Sequence, residues 1–183
     1  MLPRQLESPE AKDFLTNLIL SDEAKKFVIA RELYRGVKSR HVLETVIPIL
    51  TLAGISPLLA RLAQGLNLKK KPVLLRGIAG LGGGLFISFW YFLIVDWWKR
   101  RTERALDAAA CQLGPAYARG GVEFYDKMMR RHVALRELLP DGQGKKMYNL
   151  KGEIYPPLIR NKFIPIGKRR EFCRTLIESE SGI

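Results

Sequence analysis

An uninterrupted run of nineteen uncharged residues, Gly77 to Val95 (GIAGLGGGLFISFWYFLIV), constrains this chain more than any other feature. A helix needs about 20 predominantly apolar residues to cross a hydrocarbon layer about 30 Å thick. Arg76 closes the run on one side, and Asp96-Trp97-Trp98-Lys99-Arg100-Arg101 closes it on the other. Tryptophan and basic residues at such a boundary belong where hydrocarbon meets headgroups. Core helices of soluble proteins seldom run this far without a polar face, so the pattern predicts a transmembrane helix over 77–95.

A second apolar block, Val46 to Ala60, extends to about 42–63 if Glu44 and Arg61 are admitted near its ends. Pro48 and Pro57 each remove a helix hydrogen bond, which spanning helices tolerate when neighbours satisfy the freed groups. Beside the 77–95 run, this block is expected to be the first arm of a helical hairpin. The connection, 64–76, carries Lys69, Lys70, Lys71 and Arg76 and no acid. Short basic loops stay on the side from which insertion begins. The loop is therefore expected on the cytoplasmic or matrix side with both flanks opposite, although Lys99, Arg100, Arg101 and Arg104 pull the other way. Gly80 and Gly84 form a small-xxx-small step that lets helix backbones approach closely in lipid. They are the helix-packing candidates, with the first arm or a helix of another protein as partner. A nucleotide loop is excluded there, because no strand precedes the glycines and no Lys-Ser/Thr follows.

The expected organisation is an N-terminal amphipathic helical region (1–41), the hairpin (42–95) and an extramembrane helical region (96–183). Met1 to Glu10 is polar and broken by two prolines, so no cleavable signal peptide is visible. A short apolar periodicity, Phe14 to Leu20, follows. Ser21 reads as a helix cap with Asp22 and Glu23 in the first turn. The helix is expected to run through Lys25–Glu44, with Arg31, Arg35 and Lys38 on one side as a solvated basic face. Beyond Arg101 a helix continues to the Gly114-Pro115 stop. Another covers Tyr117–Leu139, and Asp141–Gly144 is a turn. Lys145–Ile166 reads as short extended segments around a Lys151-Gly152 turn, and a last helix covers Arg169–Glu178. The fold class is thus a mainly α membrane protein: a two-helix transmembrane hairpin, flanking amphipathic helices and a short extended or β C-terminal tail.

The net charge of +13 directs partners toward anionic surfaces. Lys69–Lys71, Lys99–Arg101 and Lys168–Arg170 are candidate phosphate contacts. Two of these runs flank apolar blocks, which favours anionic lipid over nucleic acid; a basic face with aromatic platforms is not evident. Cys111 and Cys173 lie far apart and form neither a Cys-x-x-Cys pair nor a zinc spacing, so neither a disulfide nor a metal site is expected of them. His41 and His132 are each isolated in basic sequence and read as surface or interface residues. With no nucleophile signature present, catalytic, metal, cofactor and small-molecule sites are all expected to be none.

Two segments, SDEAKKFVIARELYRG (Ser21–Gly36) and AYARGGVEFYDKMMRRHVALRELL (Ala116–Leu139), with two apolar helices between them, resemble the transmembrane protein 177 family. The resemblance covers roughly Ser21 to Arg174. It implies a multi-pass mitochondrial inner-membrane protein that helps cytochrome c oxidase subunit II mature, by stabilising that subunit and its dedicated membrane chaperone. It assigns no catalytic residues. Members are usually longer at the N-terminus, with a further membrane helix and a globular segment, which implies that this chain is a short isoform or a partial one.

A fainter similarity is to HtpX-like membrane zinc peptidases, which carry His-Glu-x-x-His, two apolar helices and then Glu-x-x-x-Asp. Two histidines at i and i+4 share a helix face and bind zinc, and the glutamate activates water. The corresponding residues here are Arg31, Glu32 and Arg35, then Glu103 and Asp107. Both histidine positions are arginine, which has no lone pair for a metal. Glu32 and Glu103 are expected to pair with Arg31 or Arg35 where zinc would sit. The spacing is then either a metal-free relic kept as a scaffold or chance in two charged helices.

Overall fold

The computed structural model describes residues 8–37, 40–65, 67, 70–156 and 163–180. They fold as seven α-helices and one short 3-10 turn, in two compact units, Lys38–Trp98 and the remainder (Met1–Val37 with Lys99–Ile183).

The first unit holds α3 (Arg40–Gly65) and the greater part of α4 (Val73–Cys111). α4 has 39 residues and is the one described helix long and apolar enough to cross a membrane. None of its apolar window is buried within the chain, and Leu81, Leu85, Phe86 and Phe89 are all exposed. Among the described residues the second membrane-spanning arm of the expected hairpin is not confirmed. α3 is helical, and the apolar stretch recognised among its described residues is Ile49–Leu58. Lys69 of the basic connection lies outside the described residues.

The second unit is built on α5 (Pro115–Leu138), against which α1 (Pro9–Thr16), α2 (Asp22–Val37), α6 (Gln143–Met147) and α7 (Ile166–Glu180) pack. Residues 99–111 of α4 belong to it. Ser21 caps α2 as expected: its Oγ accepts from the Ala24 N–H at 3.2 Å. The helix is described over Asp22–Val37; the expected run on to Glu44 crosses residues 38–39, which lie outside the described residues, Lys38 among them. α5 starts where Gly114-Pro115 ends the preceding helix, with proline at a first-turn position that needs no N–H donor. The core gathers Phe27, Ala30, Ala110, Cys111, Ala118, Tyr125, Ile166 and Cys173 from four helices. Burying Phe27 fully contributes about 1.5–3 kcal/mol. α2 meets α5 at Gly120, where a Cβ would lie 2.2 Å from the Glu23 carbonyl oxygen.

The β tail is not confirmed. Among the described residues the extended segments reduce to one antiparallel bridge, Tyr148 with Ile154. Lys145–Met147, expected to be extended, belongs to α6. The Lys151-Gly152 turn does form. The Asn149 side chain accepts from the Lys151 and Glu153 N–H groups, both at 2.9 Å, and Gly152 takes φ +77°. That turn presents Glu153 to α7, whose Ile166 and Gly167 N–H groups it accepts at 2.8 and 2.6 Å. A carboxylate from outside the helix thereby satisfies its first free donors, and α7 begins three residues earlier than the sequence suggests. Residues 157–162 of the tail lie outside the described residues.

Candidate functional site, a buried arginine–carboxylate cluster

Helical spacing puts Arg31 and Arg35 on one face of α2, and Glu103 and Asp107 on one face of α4, each pair four residues apart. Arg169 comes from the first turn of α7 and Tyr125 from α5. At the centre, Asp107 is only 1% exposed. Its Oδ1 accepts from Arg31 Nε at 2.9 Å, Tyr125 OH at 2.8 Å and Arg169 Nη2 at 2.7 Å. Its Oδ2 accepts from Arg169 Nε at 2.7 Å. The carboxylate thus accepts four hydrogen bonds, three at Oδ1 and one at Oδ2.

Arg31, 7% exposed, also donates from Nη1 to Glu32 at 2.7 Å and from Nη2 to Glu103. Arg35 donates to Glu32 at 2.6 Å and to both oxygens of Glu103, at 3.1 and 3.3 Å. Arg169 reaches Glu103 at 3.2 Å, and its guanidinium lies 4.8 Å from the Tyr125 ring centroid. Every oxygen of the three carboxylates therefore faces an arginine, and three cations balance three anions. Burial works against the Arg169 charge, but its hydrogen bond to Asp107 and the neighbouring anions overcome that and raise its pKa. Burial and the Asp107 charge push the Tyr125 phenol up. It stays protonated and donates.

The structure thus brings Arg31, Glu32, Arg35, Glu103 and Asp107 into one cluster. The solvated basic face expected of Arg31 and Arg35 is corrected: the carboxylates opposite draw both arginines inward, Arg31 almost completely. Arg169 and Tyr125 escaped the sequence reading, since they come from elements far along the chain that share no spacing with the others. The Lys168–Arg170 run is likewise not a free phosphate contact, since Arg169 is in the cluster and Arg170 pairs with Asp126 at 3.0 Å. Among the described residues, no group of three or more His, Cys, Asp or Glu is placed to hold a metal. Chemically the cluster is a clasp: it fixes α2, α4 and α7 to one another and neutralises charge that would otherwise be buried alone.

His132, expected at the surface or an interface, is half-buried against the 148–154 turn. Its Nδ1 lies 2.8 Å from the Gly152 carbonyl oxygen and its ring stacks on Tyr148 at 4.5 Å, holding the 148–154 turn on α5. The side chain of His41 lies outside what the structure describes. Gly80 and Gly84 are exposed, and a Cβ at either would meet nothing within 4 Å, so their surface is open. Cys111 and Cys173, distant in sequence, have their sulfurs 3.4 Å apart.

A membrane-length apolar window left unburied within the chain, together with a helical unit clasped by buried ion pairs, defines a helical membrane protein. Residues 4–156 match the family described as transmembrane protein 177. The chain belongs to that family. It is 34% identical to the human transmembrane protein 177 over 165 residues, covering 90% of this chain and 53% of the relative. With the Xenopus laevis protein it shares 30% over 155 residues (84% and 50%), and with the Danio rerio protein 30% over 167 residues (90% and 53%). The chain spans about half the length of the curated relatives it matches. No solved structure matches.

Proposed function

We propose that this chain is a non-catalytic factor of the mitochondrial inner membrane, multi-pass in its full form. It stabilises newly made cytochrome c oxidase subunit II and that subunit's membrane chaperone during complex IV assembly. The observation that carries the reading is the exposed apolar surface of α4, with its open Gly80/Gly84 face, in a chain whose buried Arg31 and Asp107 are committed to one another. A helix left bare to its surroundings is suited to docking against another helix in lipid, where small residues permit close approach. The extramembrane helices would hold a soluble part of the client or its chaperone.

The clasp favours scaffold over catalyst. A zinc peptidase needs lone pairs at the positions of Arg31 and Arg35, and a free carboxylate at Glu32 or Glu103; here each carboxylate oxygen already accepts from a guanidinium. The peptidase alternative therefore survives only as a metal-free scaffold, which the convergence of those five residues favours over chance spacing. Anionic lipid is a second partner, met by Lys70, Lys71 and Arg76, exposed around the start of α4. Basic residues near such a surface contribute about 1 kcal/mol each. No nucleic acid or small-molecule substrate is proposed.

The test is a pulse-chase of mitochondrial translation products with and without the protein. The expected result is faster loss of newly made subunit II in its absence, and recovery of that subunit with the tagged chain. An unchanged half-life for the subunit would remove the proposal.

A further inference from the structure

Asp107 and Cys111 are four residues apart on α4, and Arg169 and Cys173 are four apart on α7. The two cross-pairs have the same separation in sequence, 62 residues. Equal offsets mean the two segments run parallel there and in register, one helical turn separating the ion-paired rung from the sulfur rung. The Asp107–Arg169 bidentate pair fixes that register, and Glu153 fixes where α7 begins. The sulfurs are thus brought together by contacts that do not involve sulfur. Space for them comes from Gly121, where a Cβ would stand 3.0 Å from Cys173 Sγ. Both cysteines are buried, at 1% and 0% exposure.

We propose that Cys111 and Cys173 are a redox site: a thiol pair that closes to a disulfide and locks α7 onto the end of α4. A disulfide bond is about 2.05 Å long, so the sulfurs must approach by about 1.4 Å, within the reach of side-chain rotation. The step transfers two electrons. A disulfide oxidant of the glutathione class accepts them: one cysteine thiolate attacks it and releases one reduced thiol. The other cysteine thiolate then displaces the second reduced thiol as the Cys111–Cys173 bond forms. Each cysteine gives up its proton, and the two protons leave on the released thiols. The Cys111 contact and burial push the Cys173 thiol up, so in the packed helix pair Cys173 stays protonated and unreactive. Exchange therefore requires α7 to lift, and the bond, once made, holds it down. The loop so closed is long, and long loops gain most from a cross-link.

The full chain in detergent, equilibrated with glutathione buffers of graded redox ratio, acid-quenched, unfolded and alkylated, reads the site directly. The expected product under oxidising ratios is a monomer lacking two alkyl groups, carrying no glutathione, and yielding a Cys111–Cys173 linked peptide. Its Tm should rise by roughly 4–16 °C over the reduced chain. Reduction should abolish that rise, and Cys111→Ala and Cys173→Ala should each lack it. The wild-type titration stands alone if either variant fails to fold. Thiols that stay alkylatable at every ratio, stable glutathione adducts, cross-linked dimers in place of the internal bond, or a bond that forms without moving Tm would each overturn the proposal.

Discussion

Replacing Asp107 by alanine tests whether the cluster is the clasp described above. The carboxylate is 1% exposed and accepts four hydrogen bonds, three from arginine and one from Tyr125. Its loss leaves Arg31 and Arg169 buried, with only Glu32 and Glu103 to share among three guanidinium groups. Removing one partner of a buried ion pair typically costs about 3–5 kcal/mol, because the surviving charge is stranded rather than because the pair itself is strong. Solvent screening takes little from this figure at so buried a site. For a chain of this size each kcal/mol moves Tm by about 2–4 °C, so the expected fall is roughly 6–20 °C. Thermal unfolding of the purified chain in detergent, followed by helical circular dichroism, measures it. Pulse proteolysis serves as a second readout where expression is poor. The control is Glu23→Ala, which breaks the Glu23–Arg119 pair at 2.9 Å. Both of those partners are solvent-exposed, and exposed pairs contribute little, so Tm should stay within about 2 °C. A fall of less than about 3 °C for Asp107→Ala, or equal falls for the two variants, would refute the reasoning.

Gly120→Ala should separate α2 from α5, because the atom in the way is the Glu23 carbonyl oxygen at 2.2 Å, which is backbone and cannot rotate aside. A loss of about 1–3 kcal/mol is expected, and chemical denaturation with unchanged m would show it. Stability should fall with acid through His132. Burial holds its folded pKa below the ordinary 6.5, so the unfolded chain binds the proton first. Stability is then complete above 6.5 and declines as pH drops from there through the folded pKa. His132→Asn should flatten that limb of the pH–Tm curve, and a wild-type curve without such a limb would contradict it. Gly80→Leu with Gly84→Leu should leave Tm of the isolated chain unchanged, since among the described residues a Cβ at either meets nothing within 4 Å, while reducing co-purification of subunit II. Equal recovery with both leucines present would take the docking face elsewhere.

Local patterns in the chain determined a good deal. The charge-free run 77–95 specifies a membrane-capable helix whatever surrounds it, because hydrocarbon thickness and helix rise are fixed quantities. Ser21, Gly114-Pro115 and Lys151-Gly152 each marked a boundary that forms, since capping and turn chemistry act within a few residues. The four-residue spacings of Arg31 with Arg35 and Glu103 with Asp107 placed each pair on one face. Only the tertiary structure decided what those faces meet. Arg31 could equally have been solvated: the sign of its environment depends on Glu103, Asp107 and Arg169, brought up by other helices. The same holds for Cys111 and Cys173, whose separation along the chain concealed neighbouring sulfurs, and for Gly120, whose role as a contact point exists only once α2 crosses α5. Periodicity reports which side of an element is distinctive. It carries no information about which remote element will cover that side, and burial, ion pairing and sulfur proximity are all properties of the pair.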